Sequence, residues 1–149
     1  MPIDANQPKP KIPLGGGPGG VKRAVIAVAA AAASVAVAIL LAASQTSGAA
    51  FMMLFCVVPL VTNGIRGTLS PTRLKPVLAN KKDPAAIAEE ADHLAIFAMV
   101  LSIACMILAY FTWSSGDPIA LHYAAIFGPL GFAGVCFAMG QFSKAAAVR

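Results

Sequence analysis

Apolar and polar positions separate along this chain into blocks rather than alternating with a helical or strand period. The stretch Ala24–Ala43 carries no charge and one hydroxyl, Ser34. Three more apolar blocks follow at 49–65, 94–113 and 119–140. A soluble helix repeats polar residues on one face, and none of these blocks has such a face. Twenty residues rise about 30 Å as a helix, the thickness of a hydrocarbon core. The pattern predicts an all-α, polytopic integral membrane protein with four transmembrane helices arranged as two hairpins.

The breaks between blocks set the domain organisation. Residues 1–23 begin with "MPIDANQPKPKIPLGGGPGG", in which prolines and glycines recur too often for a helix or strand. We expect a disordered tail there. The loop 66–93 holds the only long charged segment. Within it Asp83-Pro84 reads as a helix start, with aspartate as N-cap and proline at the first helical position. No breaker follows before Trp113, so one helix of about 45 Å should run from Pro84 through span three. Residues 141–149 form a C-terminal tail. The turns "QTSG" and "SSGDP" close the two hairpins.

Span one could instead be a signal peptide, with "LLAAS" as its cleavage site. A signal peptide has an apolar core of about 7–15 residues. This block is longer and three further spans follow, so we expect it to be retained.

Charge then fixes an orientation. Only 11% of the residues are charged, against about 25% in an average soluble domain. All 11 lysines and arginines fall in the N-terminal tail, the middle loop and the C-terminal tail. With four spans these segments share one side of the membrane, and the positive-inside rule makes it the cytoplasm. Tyr110, Trp113 and Tyr123 flank the second outer turn, as an aromatic belt would. The expected location is a bacterial inner membrane, with both termini cytoplasmic.

Spans two and four share the pattern P-L-x-x-x-G, at Pro59–Gly64 and Pro129–Gly134, 70 residues apart. The same offset lays span one on span three without a gap. This suggests a parallel 2+2 pseudo-repeat about an axis along the membrane normal. Each proline removes a helical hydrogen bond and should bend its span. Thr62 and Asn63 follow Pro59 within one turn and are candidates for polar lining. Gly64, Gly128, Gly131 and Gly134 are candidates for close helix packing, and Ala30, Ser34 and Ala38 give span one a similar small face. In the loop, Arg66, Arg73, Lys75, Lys81 and Lys82 are placed to meet anionic lipid head groups.

The chemistry that is missing narrows the function. No Asp, Glu, Lys or Arg lies inside a span, although proton relays and ion-coupled carriers keep such a group in the membrane. Cys56, Cys105 and Cys136 sit apart in apolar blocks, without a CxxC pair. His93 and His122 belong to opposite ends of the spans, too far apart to share one haem or metal. No nucleophile, acid and base constellation appears, so we expect no enzyme, no cofactor and no metal. The loop cations have no aromatic platform beside them, which argues against nucleic acid. The expected partners are the lipid bilayer, anionic lipids at the cytoplasmic loop, and other membrane subunits or copies of the chain. Two functions fit: a non-catalytic subunit or assembly factor packing against a larger membrane complex or itself, and a small oligomeric transporter or channel using the kinked spans two and four.

Overall fold

The computed structural model describes residues 19–43, 47–70 and 83–149. Among them are four helices and no strand: α1 (Gly20–Ala43), α2 (Ser47–Leu69), α3 (Pro84–Ser114) and α4 (Pro118–Val148). The first 18 residues, the centre of the first turn, and the loop cations Arg73, Lys75, Lys81 and Lys82 lie outside the described residues. The chain is all-helical, and α1, α3 and α4 are long and apolar enough to cross a membrane. The described apolar part of α2, Phe55–Leu69, is shorter.

The helix ends follow local chemistry. Gly19 has φ +76°, a left-handed backbone that glycine adopts without strain, and α1 begins at the next residue. Asp83 accepts a hydrogen bond from the Ala85 amide at 3.3 Å, with Pro84 opening α3. The same device recurs at Asp117-Pro118, where the carboxylate accepts from the Ile119 amide at 3.0 Å. Between them Gly116, at φ +70°, stops α3 by a left-handed turn. The tight hairpin α3–α4 is therefore written in three consecutive residues, Gly116, Asp117 and Pro118. At the other end, α4 runs unbroken through the segment 141–148.

α4 is the hub of the bundle. It packs along α3, α2 and α1, and α1 also touches α2. Its buried residues are almost all small: Ala124, Ala125, Gly128, Gly131, Ala133, Gly134, Cys136, Ala138 and Gly140. Ala27, Ala30 and Ala31 of α1 meet Cys136, with Val61 and Ile65 of α2 closing over them. At one end of the bundle Ala88 and Ala91 of α3 meet Ala145.

The large apolar side chains point the other way. Leu40 is 69% exposed, Phe55 79% and Phe97 66%, and they are typical of 24 large hydrophobic residues on the surface among the described residues. Fully burying one such side chain is worth about 1.5–3 kcal/mol. Leaving this many in water would forfeit several tens of kcal/mol by the same scale, against a typical folding stability of about 5–15 kcal/mol. An inside of Ala, Gly and Ser beneath an outside of Leu, Ile, Val and Phe is stable where the solvent is hydrocarbon, because there only close packing and hydrogen bonding hold helices together.

Candidate functional site

Two glycine seams on α4 set the distances between helices. At the first, α2 crosses α4 with backbone on backbone. A Cβ on Gly67 would stand 2.7 Å from the Gly140 carbonyl oxygen, and one on Gly140 2.7 Å from that of Gly64. A Cβ on Gly64 would overlap the Cys136 carbonyl and thiol. At the second seam, a Cβ on Gly131 would stand 2.6 Å from Met106 Cγ and 3.0 Å from the Ser102 carbonyl, and one on Gly134 would overlap Ser102 Oγ. Gly128 is different. Its nearest neighbours, Val37 and Ala109, lie at 3.7 and 3.9 Å, ordinary contact distances.

Of the glycines named from the sequence, Gly64 thus belongs to the α2 seam, Gly131 and Gly134 to the α3 seam, and Gly128 to neither. Gly67 and Gly140 were not among the candidates, although Gly64 and Gly67 stand one helical turn apart in the sequence. Pro129 is fully buried beside the second seam, whereas Pro59 is exposed on α2.

Polar groups inside the bundle are satisfied locally. Ser34 donates to the Ala30 and Ala31 carbonyls at 2.9 and 2.8 Å. Thr68 donates to those of Gly64 and Ile65 at 3.1 and 3.0 Å. Ser102 donates to Ala98 at 2.6 Å. Among the described residues every buried side-chain nitrogen and oxygen has a partner. The Cys136 thiol points to the Val61 carbonyl at 3.7 Å, and Arg23 Nε donates to Ser143 Oγ at 3.2 Å. Arg149 and Asp92 form an exposed ion pair.

The side chains of Thr62 and Asn63 bond their own helix. Both are exposed on α2. Thr62 donates to the Val58 carbonyl at 2.7 Å and Asn63 to the Pro59 carbonyl at 2.9 Å. Pro59 has no N–H to offer the Phe55 carbonyl, and these two side chains serve other carbonyls. Any polar path they line runs along the outside of this bundle, not between its four helices.

Near the α3–α4 turn a crevice of about 600 Å³ opens between α1, α3 and α4. Val37, Leu40, Tyr110, Trp113, Leu121 and His122 are among its walls. The His122 Nδ1 lies 2.8 Å from the Pro118 carbonyl, so that nitrogen carries the proton. A crevice so apolar, beside an aromatic rim, suits hydrocarbon chains. His93 is exposed at the start of α3. Among the described residues no three His, Cys, Asp or Glu side chains come together as a metal site.

Among the described residues, cations from three helices gather at one end of the bundle. Lys22 and Arg23 stand in the first turn of α1, Arg66 in the last turns of α2, and Lys144 near the end of α4. Of the five loop cations expected at lipid head groups, Arg66 is the one among the described residues, and it is exposed. No protein family, curated protein or solved structure matches the chain.

Proposed function

We propose that this chain is a four-span membrane protein that acts without catalysis, as a subunit or assembly factor packed against a larger membrane complex or against further copies of itself. The observation that carries this reading is a second stripe of small residues, Ala29, Ala32 and Ala36, exposed on α1 after its other face has packed on α4. Lipid places no premium on alanine at such positions, whereas a neighbouring helix does, because small residues let two backbones approach. The interior is mostly Ala, Gly, Ser and Cys, and Ser34, Thr68 and Ser102 donate to carbonyls of their own helices.

In this reading α2 spans together with α1, α3 and α4, both termini and the basic loop lie in the cytoplasm of a bacterial cell, and anionic lipids gather at that face. The 70-residue pattern shared by Pro59–Gly64 and Pro129–Gly134 would make α2 and α4 counterparts. They cross each other toward their C-terminal ends, at Gly64 and Gly67 against Cys136 and Gly140. α4 also packs on α1, while α2 and α3 share at most a marginal contact, so the repeat would have drifted from symmetry.

The second reading, an oligomeric transporter or channel, draws on Thr62 and Asn63. Their exposure would place a pore between copies of the chain rather than inside one. The subunit reading is favoured because both side chains already bond their own helix.

Blue-native electrophoresis from a mild detergent tests the proposal. The chain should migrate within a complex larger than a monomer, and Ala32→Phe should release it while leaving the fold intact by circular dichroism. Migration as a lone monomer, or an Ala32→Phe variant that stays in the complex, would count against it.

A further inference from the structure

At the α3–α4 turn the bundle does not close on itself. α1 and α3 both pack on α4 but share at most a marginal contact with each other. Toward the turn a hollow of about 600 Å³ separates them, with α4 as its floor. The floor is made of small residues, Ala124 and Gly128, and Ala109 of α3 stands beside it. The large side chains Leu40 and Trp113 line the hollow from α1 and α3 and remain exposed.

Depth and taper restrict what can enter. Pro118 at the mouth and Gly128 at the inner end are ten residues apart on α4. That is about 15 Å of helix, half of a hydrocarbon core of about 30 Å. At Gly128 the hollow has narrowed to the width of a methyl group: a Cβ there would meet Val37 at 3.7 Å and Ala109 at 3.9 Å. A helix is about 10–12 Å across, so a helix of a second copy cannot reach that level. An unbranched hydrocarbon chain can.

Polarity runs the same way as the taper. The inner residues Val37, Ala109, Ala124 and Gly128 offer no side-chain donor or acceptor. Trp113 and His122, at the mouth, carry ring nitrogens. His122 spends Nδ1 on the Pro118 carbonyl at 2.8 Å, which leaves Nε2 for a group outside the helix. Empty, such a hollow forfeits dispersion contacts along every wall. An amphiphile with its tail inward and its head at the mouth restores them.

We propose that this crevice holds one acyl chain of a phospholipid from the leaflet on the side of the α3–α4 turn. The headgroup lies at Trp113 and His122 and the methyl end at Gly128. The acyl chain joins α1 to α3, two helices that barely touch. This deepens the lipid contact proposed above and rests on the protein lying in a membrane. It adds a built site at the end of the bundle away from the basic loop.

Trp113 is the only tryptophan in the chain, so its fluorescence reports on the mouth of the crevice. The full chain in dodecylmaltoside micelles is titrated with phosphatidylcholine brominated on its acyl chains. Quenching should saturate near one lipid per protein. Bromine near the headgroup should quench more than bromine near the methyl end. Gly128→Phe, which puts a ring in the inner end, should abolish the saturable phase. Leu40→Ala, at a wall position 69% exposed, should weaken it about tenfold, the effect of losing roughly half the burial of a leucine. Val28→Phe, exposed on α1 outside the crevice, should leave it unchanged. Quenching that rises with lipid without a plateau would overturn the proposal, as would a plateau unmoved by Leu40→Ala or stronger quenching from methyl-end bromine. A Trp113 signal that follows protein concentration instead of lipid would assign the crevice to a second copy and overturn it too. A chain that stays monodisperse without detergent would instead refute the membrane reading beneath it.

Discussion

Replacing Gly140 by alanine adds one methyl group where two backbones meet. The new Cβ would stand 2.7 Å from the Gly64 carbonyl oxygen, 2.8 Å from the Gly64 Cα and 3.2 Å from the Asn63 carbonyl oxygen. The optimum for such contacts is about 3.5–4.0 Å, so the helices must part by close to 1 Å at the crossing. A gap of that size forfeits about a quarter to a half of each dispersion contact along the seam. The obstructing atoms are backbone and cannot rotate away, which places the cost toward the top of the ~1–3 kcal/mol usual for overpacking. Alanine returns up to about 1 kcal/mol through its higher helix propensity. The net expectation is a loss of about 1–2 kcal/mol. Gly128→Ala provides the contrast. Its Cβ would meet Val37 and Ala109 at 3.7 and 3.9 Å, so the propensity gain should stand alone and stabilise by up to ~1 kcal/mol. Equilibrium unfolding in mixed micelles, followed by circular dichroism, measures both. A Gly140→Ala protein as stable as the parent, or a Gly128→Ala protein less stable than Gly140→Ala, would show that the α2–α4 seam is not the close contact described.

The two Asp-Pro caps should matter alike: Asp117→Ala should cost about 1 kcal/mol and speed amide exchange in the first turn of α4, and an unchanged exchange rate at Ile119 would refute the cap. Removing the exposed Arg149–Asp92 pair by Asp92→Asn should shift stability by less than about 1 kcal/mol, read from the same unfolding curves; a larger loss would mean the pair is shielded from solvent. In liposome flux assays the parent, Pro59→Ala and Asn63→Ala proteins should all be silent, and a flux that falls with either substitution would favour the channel reading. A cysteine placed at Gly116 should react with an impermeant maleimide from outside the cell and one at Lys82 only after lysis; the reverse pattern would invert the orientation.

The helical class was legible in the sequence because it depends on composition over a short window. Blocks free of charge and long enough to cross hydrocarbon admit few backbone solutions other than a helix, and the three long apolar helices follow from that. The helix starts were partly legible. Asp83-Pro84 is visible as a cap, and Asp117-Pro118 carries the same signal inside what reads first as a turn. The seams were less so. Glycines at 131 and 134 mark a small face on α4, but nothing near Gly140 announces that Gly67 will lie against it.

What the sequence by itself determined is therefore the kind of element and the kind of solvent: helices with apolar flanks all round, and cations held at their ends. Only the tertiary structure decided that α4 is the hub, that Gly64, Gly67 and Gly140 share one crossing, and that Arg23 reaches Ser143. The reason is physical. In a soluble helix the apolar stripe names the buried face, whereas a helix apolar on every side names none. Its inner face is chosen by how closely small residues on two distant segments can fit, and that fit is a property of the pair.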